Sequence, residues 1–131
     1  MDTLQAISRP AGAPASIRNN EHHLQRACVE WFRWQYRRIA PLLVAVPNGG
    51  HRSKAQAGKL KAEGVVPGVA DLILFVPNTV SHALLIEMKT PTGRQSPNQA
   101  AWQKAVSEQG YHYAVVRNFS DFQKTIRLYL T

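Results

Sequence analysis

Residues 64–89 read GVVPGVADLILFVPNTVSHALLIEMK, and the rest of the chain is arranged around them. Two apolar runs, Leu72 to Val76 and Ala83 to Ile86, are bounded by Gly, Pro and Asn. Their length and breakers predict two core strands joined by a turn at Pro77-Asn78. Charged residues are rarely buried without partners, yet Asp71 opens the first strand and Glu87 and Lys89 end the second. Side chains alternate along a strand, so Glu87 and Lys89 share a face, and a hairpin brings Asp71 to the same edge. Two carboxylates and an ammonium there suit a divalent cation. The other reading is an ion pair of Lys89 with Glu87 or Asp71, which leaves one negative charge over.

Downstream, the loop Thr90 to Gln95 precedes a well-marked helix. Ser96 is its N-cap, Pro97 its first residue, Gln99 completes a capping box, and Gly110 ends it. Gln99, Trp102 and Val106 share the face expected to pack inward, with Gln99 at the open end. Capping alone and a role at the site fit Gln99 equally well. Tyr111 to Arg117 reads as the last strand. Ser120 caps a final helix carrying Phe122, Ile126, Leu128 and Leu130.

Upstream, residues 20–38 follow a helical period, with Asn19 or Asn20 as cap and Glu21 in the first turn. Leu24, Cys28 and Trp31 form the apolar stripe; Arg26, Arg33, Arg37 and Glu30 lie roughly opposite. Glu21 sits about 60° off the stripe, where it can look over the core edge toward the sheet. The plainer reading is an acid favoured by the helix dipole. Pro41 breaks the helix and Leu42 to Val46 form a first strand. Asn48, Gly49, Gly50, His51 and Arg52 then form a loop in which Gly-Gly permits close backbone approach to a ligand. Ser53 to Glu63 is a short basic helix with Lys54, Lys59 and Lys61. Residues 1–18, rich in Ala, Pro, Ser and Gly, read as a flexible arm before one domain over 19–131. The order α-β-α-β-β-α-β-α predicts an α/β fold, a central mixed sheet flanked by helices.

Sixteen Lys and Arg against eight acids give a net charge of +8 in 131 residues, which favours a polyanionic partner, nucleic acid first. No apolar run approaches the ~20 residues of a membrane span, and no signal pattern opens the chain, so an intracellular, non-membrane protein is expected. One cysteine, Cys28, excludes an intrachain disulfide and a Cys-rich zinc site, and its place on the apolar stripe reads as a buried structural thiol. The five histidines lack zinc-ligand spacing. Phosphate-binding glycine loops and nucleophile elbows are absent.

The acid at Asp71, fifteen residues, then Glu87-Met88-Lys89 resembles the PD-(D/E)XK nuclease pattern. Together with Pro47-Asn-Gly-Gly, residues 64–74, residues 87–96 and Asn98-Gln-Ala-Ala-Trp102, it resembles the VRR-NUC family, virus-type replication and repair nucleases, over about residues 20–130. Ala70 stands where that family commonly has Pro, a change in stiffness rather than in ligands. The resemblance implies a restriction-endonuclease-like core and a structure-selective DNA endonuclease acting on branched DNA, such as four-way junctions or flaps. It is consistent with a bacterial or phage origin and with a homodimer whose two sites cut symmetrically placed strands.

In that chemistry Asp71 and Glu87 are hard oxygen ligands for Mg2+ or Mn2+. The Met88 carbonyl is a third, and Glu21 contributes directly or through water. Lys89 orients the attacking water and offsets phosphate charge, and the resemblance gives Gln99 a supporting role. Arg26, Arg33, Arg37, Asn48, Gly49, Gly50, His51, Arg52, Lys54 and Arg94 are the expected DNA contacts. The competing class is a catalytically silent DNA-binding module of the same fold, which would have no use for two carboxylates facing phosphates.

Overall fold

The structure, a computed structural model, describes residues 20–47 and 53–131. The arm at 1–18, Asn19, and the Asn48, Gly49, Gly50, His51 and Arg52 loop lie outside the described residues. The elements are α1 (Asn20–Gln35), β1 (Leu43–Ala45), α2 (Lys54–Ala62), β2 (Leu72–Leu74), β3 (Leu84–Met88), α3 (Pro97–Glu108), β4 (His112–Val116) and α4 (Phe119–Leu130). This is the expected order. The four strands form one mixed sheet, β1-β2-β3-β4, antiparallel except for the parallel pair β3 and β4. A parallel pair needs a long crossover, and α3 supplies it.

Alternation along the strands divides the sheet into two unlike faces. Leu72, Leu74, Leu84, Ile86, Met88 and Val116 are buried with Cys28, Trp31 and Phe32 of α1 and Phe122, Ile126 and Tyr129 of α4 in one core. Trp31 meets Phe119 and Phe122 edge-on at 6.2 and 6.0 Å. Each fully buried large apolar side chain contributes about 1.5–3 kcal/mol, so this face carries most of the stability. The opposite face holds Asp71 and Glu87 and lies under α3.

Three local expectations need correction. α1 ends at Gln35, before Arg38, and the chain reverses through a 3-10 turn over Ala40–Leu42 with Pro41 inside it. The cap of α4 is Asn118, whose side chain accepts from the Asp121 amide, rather than Ser120. Leu128 is 71% exposed, whereas Tyr129 is buried. Phe122, Ile126 and Tyr129 follow i, i+4, i+7, and Leu128 falls to the other side of the helix.

The turn between β2 and β3 forms at Pro77-Asn78 as expected. Asn78 Oδ1 accepts from the amides of Val80 and Ser81 at 3.0 and 2.7 Å. Its Nδ2 donates to the Tyr129 carbonyl at 3.1 Å, and the Tyr129 hydroxyl donates to the Val76 carbonyl at 2.6 Å. The hairpin is thereby tied to the last turn of α4.

Candidate active site

The register explains how the three charged residues meet. Leu72 pairs with Ile86 and Ile73 with Leu85, and the Asp71 amide continues the ladder to the Ile86 carbonyl at 3.0 Å. Asp71 therefore projects on the same face as Glu87 and Lys89. Its Oδ2 accepts from the Met88 amide at 2.7 Å, which couples the start of β2 to the end of β3. The Met88 side chain is in the core, so only its peptide is available to the site.

Glu87 is fully buried in the central strand. Oε1 accepts from the Tyr113 hydroxyl at 2.7 Å and from Gln95 Nε2 at 3.0 Å. Oε2 is buried without a hydrogen bond, and Lys89 Nζ stands 3.5 Å from it. The ion pair considered from the sequence therefore forms, with Asp71 beside it as the extra acid.

Burial is the main cause that pushes the Asp71 carboxyl above its ordinary range; the Met88 amide pulls it back, Glu21 and Glu87 push it up, and Lys89 lowers it. Glu21 thus lies within electrostatic reach of Asp71, exposed in the first turn of α1. Among the described residues, no three of His, Cys, Asp and Glu converge closely enough to hold a metal by themselves. Glu30 is half-buried rather than in open solvent. It lies about 60° round the helix from the buried Ala27, which widens the apolar stripe toward it.

Asp71 and Lys89 open onto a cleft of about 340 Å³ lined also by Gly68, Val69, Ser96, Asn98 and Gln99. Gln99 reaches it while forming the capping box: its Oε1 accepts from the Ser96 amide at 2.8 Å and its own amide donates to Ser96 Oγ at 3.1 Å. Gly68 has φ +89°, and a Cβ there would come within 2.5 Å of the Asn98 carbonyl group. The loop before Asp71 thus lies directly on the first turn of α3. On the far side, Arg117 Nη1 donates to the carbonyls of Thr90 and Gly93 at 2.8 and 2.7 Å, holding the loop after Lys89.

Arg26, Arg33, Arg37, Lys54 and Arg94 are all exposed, outside this cleft's lining. The Arg37 guanidinium stacks 4.5 Å from the centre of the exposed Trp34 ring. Cys28 is buried and burial raises its thiol pKa strongly, as a structural thiol requires. Tyr113, Gln95 and Arg117 were not legible as site residues. Only the parallel register, with Leu85 opposite Tyr113 and Glu87 opposite Val115, puts Tyr113 on the Glu87 face.

The profile of the VRR-NUC domain matches residues 19–119, a span containing Glu21, Asp71, Glu87, Lys89 and Gln99. The chain belongs to the VRR-NUC family. Two solved VRR-NUC structures share its fold. A VRR-NUC domain protein superposes with a TM-score of 0.74 at 23% identity, covering 84% of this chain and 87% of that one. A second VRR-NUC domain gives 0.51 at 18% identity, covering 81% and 96%. Comparison with curated proteins gives no match. The VRR-NUC domain is a nuclease-type fold, and the candidates Asp71, Glu87 and Lys89 lie on the sheet face away from the main core.

Proposed function

We propose that the protein is a metal-dependent, structure-selective endonuclease that hydrolyses DNA phosphodiester bonds. In this reading it acts on branched DNA such as four-way junctions or flaps, as a homodimer inside the cell, with Mg2+ or Mn2+. The observation that carries the reading is Glu87 Oε2: a buried carboxylate oxygen without a hydrogen bond, beside Lys89, which with the second acid, Asp71, lines an open cleft. A buried charged oxygen left in this way is costly unless a cation completes it. Lys89 compensates one charge at 3.5 Å, and Asp71 remains.

The donor set fits a hard divalent cation: Glu87 Oε2, the Asp71 oxygen not held by the Met88 amide, the Met88 carbonyl, and Glu21 through water. When bound, such a cation supplies Lewis acidity toward the phosphate and a more acidic water. Glu87 and Asp71 bind and orient it. Lys89, its side chain 12% exposed, places the attacking water and offsets charge developing on the phosphate. Gln99 and Ser96 hold the start of α3 against the cleft. Arg26, Arg33, Arg37, Lys54 and Arg94, with the 48–52 loop, bind phosphates along the strands. Val44 and Phe75, 37% and 54% exposed, suit contact with a second copy. The preference for branched DNA rests on the family resemblance.

The deciding test is cleavage of labelled four-way junction, flap, single-stranded and duplex DNA with Mg2+, Mn2+ or chelator. Cutting of branched substrates that needs the added metal is the expected result. Cutting in excess chelator overturns the metal role, and binding without cutting under every condition supports the silent module instead.

A further inference from the structure

A carboxylate can present a cation with one oxygen or two, and the number helps decide which cation fits. Ca2+ takes six to eight oxygens and readily uses both oxygens of an acid. Mg2+, and Mn2+ at oxygen-rich sites, favour an octahedron in which one or two acids share the ion with several waters.

At this site each acid has one oxygen already committed to the protein. Asp71 Oδ2 holds the Met88 amide at 2.7 Å. Glu87 Oε1 holds two donors at once, the Tyr113 hydroxyl at 2.7 Å and Gln95 Nε2 at 3.0 Å. Gln95 is itself fixed, because Nε2 also donates to Gln103 Oε1 at 2.6 Å, which uses both of its hydrogens. The Tyr113 ring lies edge-on to Trp102 at 6.2 Å. Turning Glu87 so that both oxygens faced one cation would leave the Tyr113 and Gln95 donors without their acceptor in a largely buried place.

We propose that Tyr113 and Gln95 are positioning residues that confine Glu87 to a single-oxygen contact through Oε2, and so set the site's preference for small octahedral cations over Ca2+. The inference rests on the reading of Asp71 and Glu87 as cation ligands. Neither Tyr113 nor Gln95 touches the ion; both act through Glu87. They come from separate elements, β4 and the loop before α3, so the restraint on Oε1 has two independent supports.

The test is calorimetric titration of the full chain, without DNA, with Mn2+ and with Ca2+, for the wild type, Tyr113→Phe, Gln95→Ala and the double variant, using Asp71→Asn as the blank. Circular dichroism and thermal melts establish that each variant is folded. The expected result is a fall of about tenfold in the ratio of the Ca2+ to the Mn2+ dissociation constant in Tyr113→Phe, with a further fall in the double variant. General loosening of the site would weaken both ions equally and leave the ratio unchanged. An unchanged ratio in folded variants, with Mn2+ still bound by the wild type, overturns the positioning role and leaves the ligand assignment standing. Absence of binding of either ion to the wild type overturns both. If Tyr113→Phe does not fold, Gln95→Ala carries the same comparison, because it frees the same oxygen from the other side.

Discussion

At the scale of single residues, the site is defined by Asp71 being partly desolvated beside other acids. Its carboxyl is held above the ordinary value of 3.8 chiefly by burial. A carboxyl with a raised folded pKa gives stability that is present below the unfolded value and lost as pH rises through the folded one. Asp71→Asn removes that loss. In cation-free buffer the variant is expected to melt at a higher temperature than the wild type at neutral pH, with the gap closing toward acid pH. The same variant should lose cleavage by at least about 100-fold while keeping DNA binding, because the arginine surface is untouched. Differential scanning calorimetry across pH, paired with a cleavage assay, checks both; full activity would remove Asp71 from the site. Lys89→Ala should reduce turnover about 100-fold or more with Mn2+ affinity unchanged or tighter, since a competing positive charge beside Glu87 Oε2 has gone. Loss of Mn2+ binding in parallel with activity would make Lys89 a structural residue.

At the scale of elements, the approach of the Gly68 loop to α3 shapes the cleft. Gly68→Ala forces a Cβ into the first-turn backbone of α3 and also places a side chain at φ +89°. Backbone strain and overpacking together should cost about 2–4 kcal/mol, visible in a denaturant melt, and should lower activity by moving Asp71 relative to Lys89. A variant as stable and active as the wild type would show that the loop and helix separate freely. The phase of α1 can be tested as well. Glu21 reaches Asp71 electrostatically from the first turn, whereas Glu30 sits about two and a half turns on, beside Ala27. Glu21→Gln should impair cleavage with little change in stability, a first-turn dipole contact contributing about 0.3–1 kcal/mol. Glu30→Gln should leave the chemistry alone and tighten DNA binding at low salt. Parallel assays with the opposite pattern would require α1's faces to be reassigned.

At the scale of the whole molecule, the main core lies on one face of the sheet and the candidate ligands Asp71 and Glu87 on the other, in a chain of net charge +8. DNA affinity is expected to fall about 10³-fold or more between 50 and 200 mM salt if six or more phosphates are contacted, a slope that titration at several salt concentrations measures. A flat slope would count against a phosphate-dominated interface. What the sequence by itself determined is whatever follows from local rules. Apolar runs and their breakers mark the strands, the Ser96-Pro97-Gln99 signature marks α3, and alternation puts Glu87 and Lys89 on one face. These depend on neighbours within a few residues, and each was legible in its order and type. Tertiary structure decided what depends on register between distant strands and on how helices seat. The β2 and β3 pairing put the Met88 amide on Asp71, and the parallel β4 brought Tyr113 onto Glu87. The packing of α4 chose Tyr129 over Leu128, and the crowding at Gly68 joined a loop to α3. Such contacts are settled by the core closing on one face of the sheet, because only that closure selects among registers that local preference leaves nearly equal.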